Sequence, residues 1–307
     1  LQDERCKEWL LLTLTAALAQ FTRMIADQSP AGGGPSWKIN CYWLPSAWQE
    51  LNPIWYFENR VVKSRAAIAD LLPPLAGLNA TIILADSRTI ALPDGSVDYI
   101  FTDPPYGGES IQYGELSMLW CLWLGDEQDL SREIVFNPFR KFDQEHYATG
   151  LHDVFRESFR VLKDGGHMTV AFANKDPAVW ASLMDACKDA GFSLLVVVPM
   201  KRSAPSLTET NMHSAPKADM LITFKKSGLA NGRQLGIDRI SNMREYDFSG
   251  RVRSLAKAGN KVLGAHEVFD RVTIDWLSWY FEGNEFASSE RPTLAKVEAV
   301  LAADHYC

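Results

Sequence analysis

Long apolar runs are absent from this 307-residue chain. A helix needs roughly 20 consecutive apolar residues to cross a bilayer, no stretch approaches that length, and nothing in the sequence reads as membrane-spanning. The segment from Arg5 and Lys7 through the Leu/Ala-rich run to Met24 carries no small-residue cleavage site and does not read as a secretory leader. Cysteine is scarce. The five present (Cys6, Cys41, Cys121, Cys187, Cys307) are odd in number and widely spaced, which offers neither a disulfide framework nor a zinc ligand set, and the six histidines show no ligand spacing. No metal is expected, and a reducing cytoplasm is the expected compartment. Positive charge is also in deficit, with 31 Lys and Arg against 38 Asp and Glu for a formal net charge of −7. That excludes wholesale coating of a nucleic acid but leaves room for a local basic cleft, because phosphate contacts need only a few clustered cations.

Hydrophobic residues make up 47% of the chain and charged residues 22%, enough for one sizeable core and a smaller appendage. Residues 3–28 read as one long helix, broken by Pro30 and the run Gly32, Gly33 and Gly34. That glycine run lacks the preceding strand and following helix that a nucleotide-binding loop requires. Trp37–Leu44 reads as a strand or an extended arm. Helical spacing runs from Pro53 through Ile54, Trp55, Phe57, Val61 and Val62 to Leu72, where Pro73-Pro74 should stop it. An alternating pattern follows, with strands over 80–85 and 97–102, helices near 112–124 and 146–162, a strand over 167–173, a helix over 177–190, and strands over 192–199 and 219–225. Such alternation predicts an α/β doubly wound sheet. Only Met200–Ala218 separates the last two strands, so they should form a hairpin. Val268–Phe281 and Thr293–Ala303 read as amphipathic helices. The implied organisation is a helical extension over 1–78, an α/β core over 79–226 and a small helical appendage over 227–307.

Asp103-Pro104-Pro105-Tyr106 follows directly on the apolar run Val97–Phe101, so a strand ends where a rigid loop begins. These residue types fit one chemistry. The exocyclic nitrogen of a nucleobase is a poor nucleophile, because its lone pair is delocalised into the ring, and it must be held in line with the methyl group of a sulfonium donor. The Asp103 carboxylate can accept one N–H and the Pro104 carbonyl the other. Two consecutive prolines fix φ and remove backbone donors, which presents those acceptors with little freedom. Tyr106 offers a flat face on which an extruded base can stack. Asp-Pro-Pro also occurs in plain turns, and the preceding strand is what gives it meaning here.

The tetrapeptide resembles the signature of the N6-adenine and N4-cytosine DNA amino-methyltransferases, and the likeness spans Asn79–Lys226. Upstream, Ala85-Asp86-Ser87-Arg88 ends the apolar run Thr81–Leu84. Downstream, Phe159–Val170 is similar to the helix, Gly165-Gly166 turn and next strand of the Rossmann-like methyltransferase fold, whose final strand is usually antiparallel. The resemblance implies S-adenosylmethionine as donor, with Asp86, Ser87, Phe101 and Thr102 around its adenine, and Asp103, Pro104, Pro105 and Tyr106 acting on the target amino group. An Asp at the head of the motif favours adenine, since the cytosine enzymes more often begin it with Ser.

Ser110–Gly125 resembles the segment that follows the catalytic loop in large prokaryotic DNA methylases, where Tyr-x-Glu-Leu-Ser leads into an aromatic helix. Leu116, Leu119, Trp120 and Trp123 recur at i, i+3, i+4, i+7 and should form its buried face. Gln112, Tyr113 and Glu115 lie nearer the loop and are candidates for shaping the target pocket. Arg140-Lys141 and Lys201-Arg202 are the candidate contacts to DNA phosphates, although a charge pair on a loop is more often a solvated surface.

The same resemblance exposes a gap. Enzymes of this fold carry Asp-x-Phe-x-Gly-x-Gly after their first strand, so that the backbone can approach the methionine part of the donor, and an acidic strand end beyond it. Neither is found; Phe281-Glu282-Gly283-Asn284 lacks the second glycine. The chain reads as the portion of a longer enzyme that follows the donor loop, lacking the first βαβ unit and expected to need another segment or chain to complete it. Two other readings compete. An RNA guanine-N2 methyltransferase shares Asp-Pro-Pro-Tyr-Gly, here ending at Gly107, and a non-catalytic partner would keep the fold while lending a nucleic-acid surface to an active subunit. The Tyr-x-Glu-Leu-Ser run favours the DNA family over the first, and the intact tetrapeptide speaks against the second. A DNA methylase of this kind implies a restriction-modification or phage-defence setting.

Overall fold

A computed structural model describes residues 4–27, 36–37, 42, 44–75, 77, 79–107, 112–174, 176–201, 218–227, 247–257, 263–281 and 292–303. The chain divides into two compact units, one of residues 1–84 and 109–133 and one of residues 85–108 and 134–307.

The first unit holds helices α1 (Glu4–Thr15), α2 (Pro53–Leu75) and α3 (Tyr113–Leu124), with a short antiparallel ribbon of β1 (Ile25–Ala26) and β2 (Ser36–Trp37). The single helix expected over 3–28 is not formed: α1 stops at Thr15 and a 3-10 turn, Leu18–Phe21, leads into β1. Threonines explain the break. The hydroxyls of Thr13, Thr15 and Thr22 donate back to the carbonyls of Trp9, Leu12 and Ala19, local bonds that compete with the helical ladder. Helix α2 runs through Pro73-Pro74 rather than stopping before them, and two lost ladder donors in succession end it at Leu75. Of the arm expected over Trp37–Leu44, Trp37 lies in β2, while 38–41 and 43 fall outside the described residues.

Helix α3 forms as expected and closes on left-handed Gly125, whose N–H donates to the Cys121 carbonyl. Its expected buried face is corrected: Leu116, Leu119 and Trp120 are half-buried and Trp123 is exposed. Met118, Leu122 and Leu124 make the helix apolar around its whole circumference, so spacing cannot single out one face. Polar contacts fix it instead. The Trp120 indole donates to the Thr15 carbonyl at 2.9 Å, the Tyr42 hydroxyl donates to the Leu116 carbonyl at 2.6 Å, and the Glu133 carboxylate accepts the Gly114 N–H at 2.6 Å.

The second unit is built on strands β3 (Val97–Thr102), β4 (Leu162–Phe172), β5 (Phe192–Lys201) and β6 (Ala218–Lys226), in the spatial order β3-β4-β6-β5. β3 and β4 are parallel, and β6 is antiparallel to both β4 and β5, so the expected hairpin is present. The strand expected over 80–85 is absent; Ile82 and Leu84 are fully exposed. An extended apolar run becomes a strand only when a neighbour takes its backbone groups, and among the described residues β3 pairs with β4 alone.

Alternation along the strands sets the core. Met168, Val170 and Phe172 stand opposite Phe224, Ile222 and Met220, and all six are buried. Helices α4 (Gln144–Val161) and α5 (Pro177–Asp189) contribute Tyr147, Leu151, Phe155, Leu183 and Met184 to the same core. Their starts are capped: Asp143 caps the His146 N–H, and Asp176 caps the Ala178 N–H with Pro177 in the first turn. Helices α6 (Phe248–Ala256), α7 (Ala265–Phe281) and α8 (Leu294–Ala303) enclose a second cluster around Val252, Val268, Val272 and Val297. Helix α7 serves both cores, because its Trp276, Leu277 and Tyr280 join the sheet cluster.

The turn that enters β3 is fastened to α4 by one ion-pair network. Arg160 donates to the carbonyls of Ile90 and Leu92, each at 3.0 Å, and pairs with Asp94 and Glu157, while the Glu157 carboxylate accepts the Ile90 N–H at 2.6 Å. The hydrogen bond from Arg160 holds the Glu157 carboxyl below its ordinary value of 4.5. A depressed carboxyl contributes stability above its unfolded value and loses it as pH falls through the folded one. The melting temperature of Glu157→Gln should therefore lie below that of the wild type at neutral pH and converge on it under acid conditions. A gap undiminished at about pH 3 would contradict this linkage.

Candidate active site

Parallel pairing places the carboxyl ends of β3 and β4 on one edge of the sheet, where α/β proteins gather their ligands. Asp103–Tyr106 leaves β3 at that edge. Asp103 is exposed, Pro104 is buried, and Pro105 and Tyr106 are half-buried. The Tyr106 ring meets Phe172 edge-on at 5.4 Å, and Phe172 meets Trp180 in the same manner at 4.9 Å. Gly107 follows with a positive φ of 66°, and a Cβ there would sit 2.8 Å from Val179 Cγ1 and 3.0 Å from the Tyr147 ring. Only glycine fits.

Two side chains hold the loop from behind. The Tyr147 hydroxyl, on the fully buried side of α4, donates to the Pro105 carbonyl at 2.6 Å. The Asn174 amide donates to the Tyr106 carbonyl, while its own Oδ1 accepts the Asp176 N–H at 2.6 Å. The Trp180 indole in turn donates to the Asn174 carbonyl at 2.9 Å. The result is a rigid loop with an exposed carboxylate at its start and an aromatic ring packed against the core.

Phe101 and Thr102 immediately precede the loop. Thr102 is half-buried opposite Val170, and Phe101 is exposed on the other face of β3 beside Tyr99. Asp86 and Ser87 form a turn in the same unit. The Asp86 carboxylate accepts from Arg88 Nε and Nη2 at 2.9 Å each and from the Arg88 N–H at 3.0 Å, so it is held in place as an ion pair, and Ser87 is exposed. Arg140 ends a 3-10 turn capped by Asn137, with its guanidinium 4.5 Å over the Phe142 ring, which stacks on His146 at 4.0 Å. Lys141 is exposed and left-handed, with φ 59°. Lys201 ends β5. Arg202 and Gly32–Gly34 lie outside the described residues. Gln112, Tyr113 and Glu115 form the start of α3 in the other unit; Tyr113 is exposed and the other two are half-buried.

Tyr147, Asn174 and Trp180 hold this loop, and sequence reasoning does not pick them out. Asn174 had a usable signal, a polar residue just past the end of β4, the strand beside β3. Tyr147 had none, since it sits on the core face of an amphipathic helix. Among the described residues no group of His, Cys, Asp and Glu is arranged to hold a metal, and no helix is long and apolar enough to cross a membrane.

A family model for DNA methylases of the N6/N4 methyltransferase type matches residues 97–284, from the first residue of β3 to just beyond α7. The chain belongs to this DNA methylase family. The matched stretch takes in Asp103–Tyr106, Tyr147 and Asn174. Among solved structures, a candidate DNA modification methylase from Thermus thermophilus, in complex with S-adenosyl-L-methionine, shares 18% identity over 55% of this chain and 62% of its own, with a TM-score of 0.30. The cytosine-N4-specific PvuII DNA methyltransferase shares 11% identity over 73% of this chain and 92% of its own, at 0.33, and the [4+2]-cyclase SpnF shares 15% over 53% and 62%, at 0.30. The chain thus spans about three fifths of the Thermus protein's length, 62%. Scores this low add nothing to the family assignment. No curated protein matches the chain.

Proposed function

We propose that this chain carries the catalytic loop of an S-adenosylmethionine-dependent DNA methyltransferase that modifies an exocyclic amino group, N6 of adenine in particular. The observation that carries the reading is the Asp103–Tyr106 loop, rigidly held at the carboxyl end of β3 within the segment matched by the family model. Asp103 and the Pro104 carbonyl accept the two amino N–H bonds and orient the nitrogen lone pair, and Tyr106 stacks on the flipped base. The residues fit the donor's adenine end: exposed Phe101 offers it a flat apolar surface, and the Arg88-fixed Asp86 carboxylate is an oriented acceptor, with Ser87 and Thr102 at the margins. The bound donor supplies the electrophilic methyl group. Gln112, Tyr113 and Glu115 shape the target pocket, and Arg140, Lys141, Lys201 and Arg202 contact phosphates. A glycine loop for the methionine end comes from a further segment or chain, a reading supported by the exposure of Tyr99 and Phe101 on β3.

The test is transfer of tritium from labelled S-adenosylmethionine to duplex DNA and, in parallel, to tRNA by the complete gene product, followed by digestion to nucleosides and chromatography. Label in N6-methyldeoxyadenosine is expected. Label in N4-methyldeoxycytidine would reassign the base, label in tRNA alone would favour an RNA enzyme, and no label in either would point to a non-catalytic partner.

A further inference from the structure

We infer that Tyr147 and Asn174 are positioning residues that clamp the carbonyls of Pro105 and Tyr106 and so present Asp103 and the Pro104 carbonyl to the target amino group. The inference rests on the reading of Asp103–Tyr106 as the catalytic loop. The loop's own composition creates the need for such a clamp. Pro104 and Pro105 have no N–H, so much of this segment can be fastened from outside only through its carbonyls, and only by donors. Tyr147 and Asn174 are those donors.

Each is committed to the task by its surroundings. Tyr147 is fully buried, and a buried hydroxyl must find a partner; the loop carbonyl at 2.6 Å is that partner, 42 residues away in sequence. Asn174 has an acceptor and a donor end, and because its oxygen takes the Asp176 N–H, its nitrogen faces the Tyr106 carbonyl. Asn174 is itself tied to Trp180, whose ring braces Phe172, against which the Tyr106 ring rests. Gly107 closes the arrangement, since the Tyr147 ring and Val179 occupy the space of any side chain there. Backbone and ring of the loop are thus both located, while the Pro104 carbonyl is engaged by neither clamp residue. Misplacement of a reacting group by about 1 Å costs on the order of 100-fold in rate, which is why such a clamp matters to catalysis.

Tyr147→Phe removes only the hydroxyl, and Asn174→Asp replaces the donor by an acceptor of the same size. In the complete protein both should lower kcat by about 10- to 100-fold while KM for donor and for DNA stays close to the wild-type value. Hydrogen exchange should quicken at the amides of Tyr106 and Gly107 and remain unchanged in α4 and β4. A merely structural role would instead quicken exchange throughout α4 and β4 and reduce the folded fraction without separating kcat from KM, and that result overturns the inference. Wild-type kcat in both variants, or unaltered exchange at Tyr106 and Gly107, overturns it as well. A wild-type protein that methylates no nucleic acid sinks the functional reading instead, and the exchange data then decide the clamp by themselves.

Discussion

Asp103→Ala should reduce methyl transfer to DNA by roughly 10²- to 10⁴-fold, the range lost when a positioned acid–base group is removed. Folding should be indifferent to the change. Asp103 is exposed at the end of β3, and exposed substitutions away from caps and networks alter stability by about 0.5 kcal/mol or less. The loop's shape comes from Pro104, Pro105 and the bonds to Tyr147 and Asn174, none of which involves the Asp103 carboxylate. Asp103→Asn sharpens the point: it keeps the size but turns one acceptor into a donor that faces the amino N–H, so it should be nearly as damaging as alanine. Single-turnover transfer of tritium, paired with thermal unfolding of each variant, measures both quantities. Turnover near the wild-type level in either variant would remove Asp103 from the mechanism.

Tyr106→Ala should weaken capture of the flipped base by about 1–3 kcal/mol, the worth of one base–aromatic stacking contact. Tyr106→Phe and Tyr106→Trp should be tolerated, because both keep a π face. The T-shaped contact with Phe172, with ring centroids 5.4 Å apart, holds the Tyr106 ring in place, and a ring already held in place loses little entropy on binding. Affinity for a duplex carrying 2-aminopurine at the target position, read by the fluorescence that flipping releases, separates the variants. Equal damage from phenylalanine and alanine would assign the work to the hydroxyl and discard the stacking role.

Elements whose evidence is local were readable from the chain. The apolar run before Asp103 became β3 at the expected residues, and the strands expected over 167–173, 192–199 and 219–225 became β4, β5 and β6, with β4 beginning earlier, at Leu162, and taking in the expected Gly165-Gly166 turn. Helix α5 starts at Pro177 as expected, and α4 starts at Gln144, just before the expected 146. The run over 80–85 has equal β propensity and formed nothing, because a strand is a relation between two segments and propensity belongs to only one of them. Likewise α1 had the composition of a longer helix, and threonine hydroxyls returning to its own backbone cut it short.

The Asp103–Tyr106 loop was legible for a further reason: its four residues are contiguous, so the rigidity its prolines confer is written in consecutive letters. Family membership follows from that stretch and its neighbours. What holds the motif in place is not contiguous with it. Tyr147 reaches Pro105 across 42 residues and Asn174 reaches Tyr106 across 68, and those donors meet their carbonyls only after α4 and the end of β4 have packed around the loop. Sequence periodicity tells a buried tyrosine from an exposed one but not what its hydroxyl will touch. That choice is made by the three-dimensional course of the backbone, since a hydrogen bond depends on ångström-scale placement of atoms that the chain brings together only on folding.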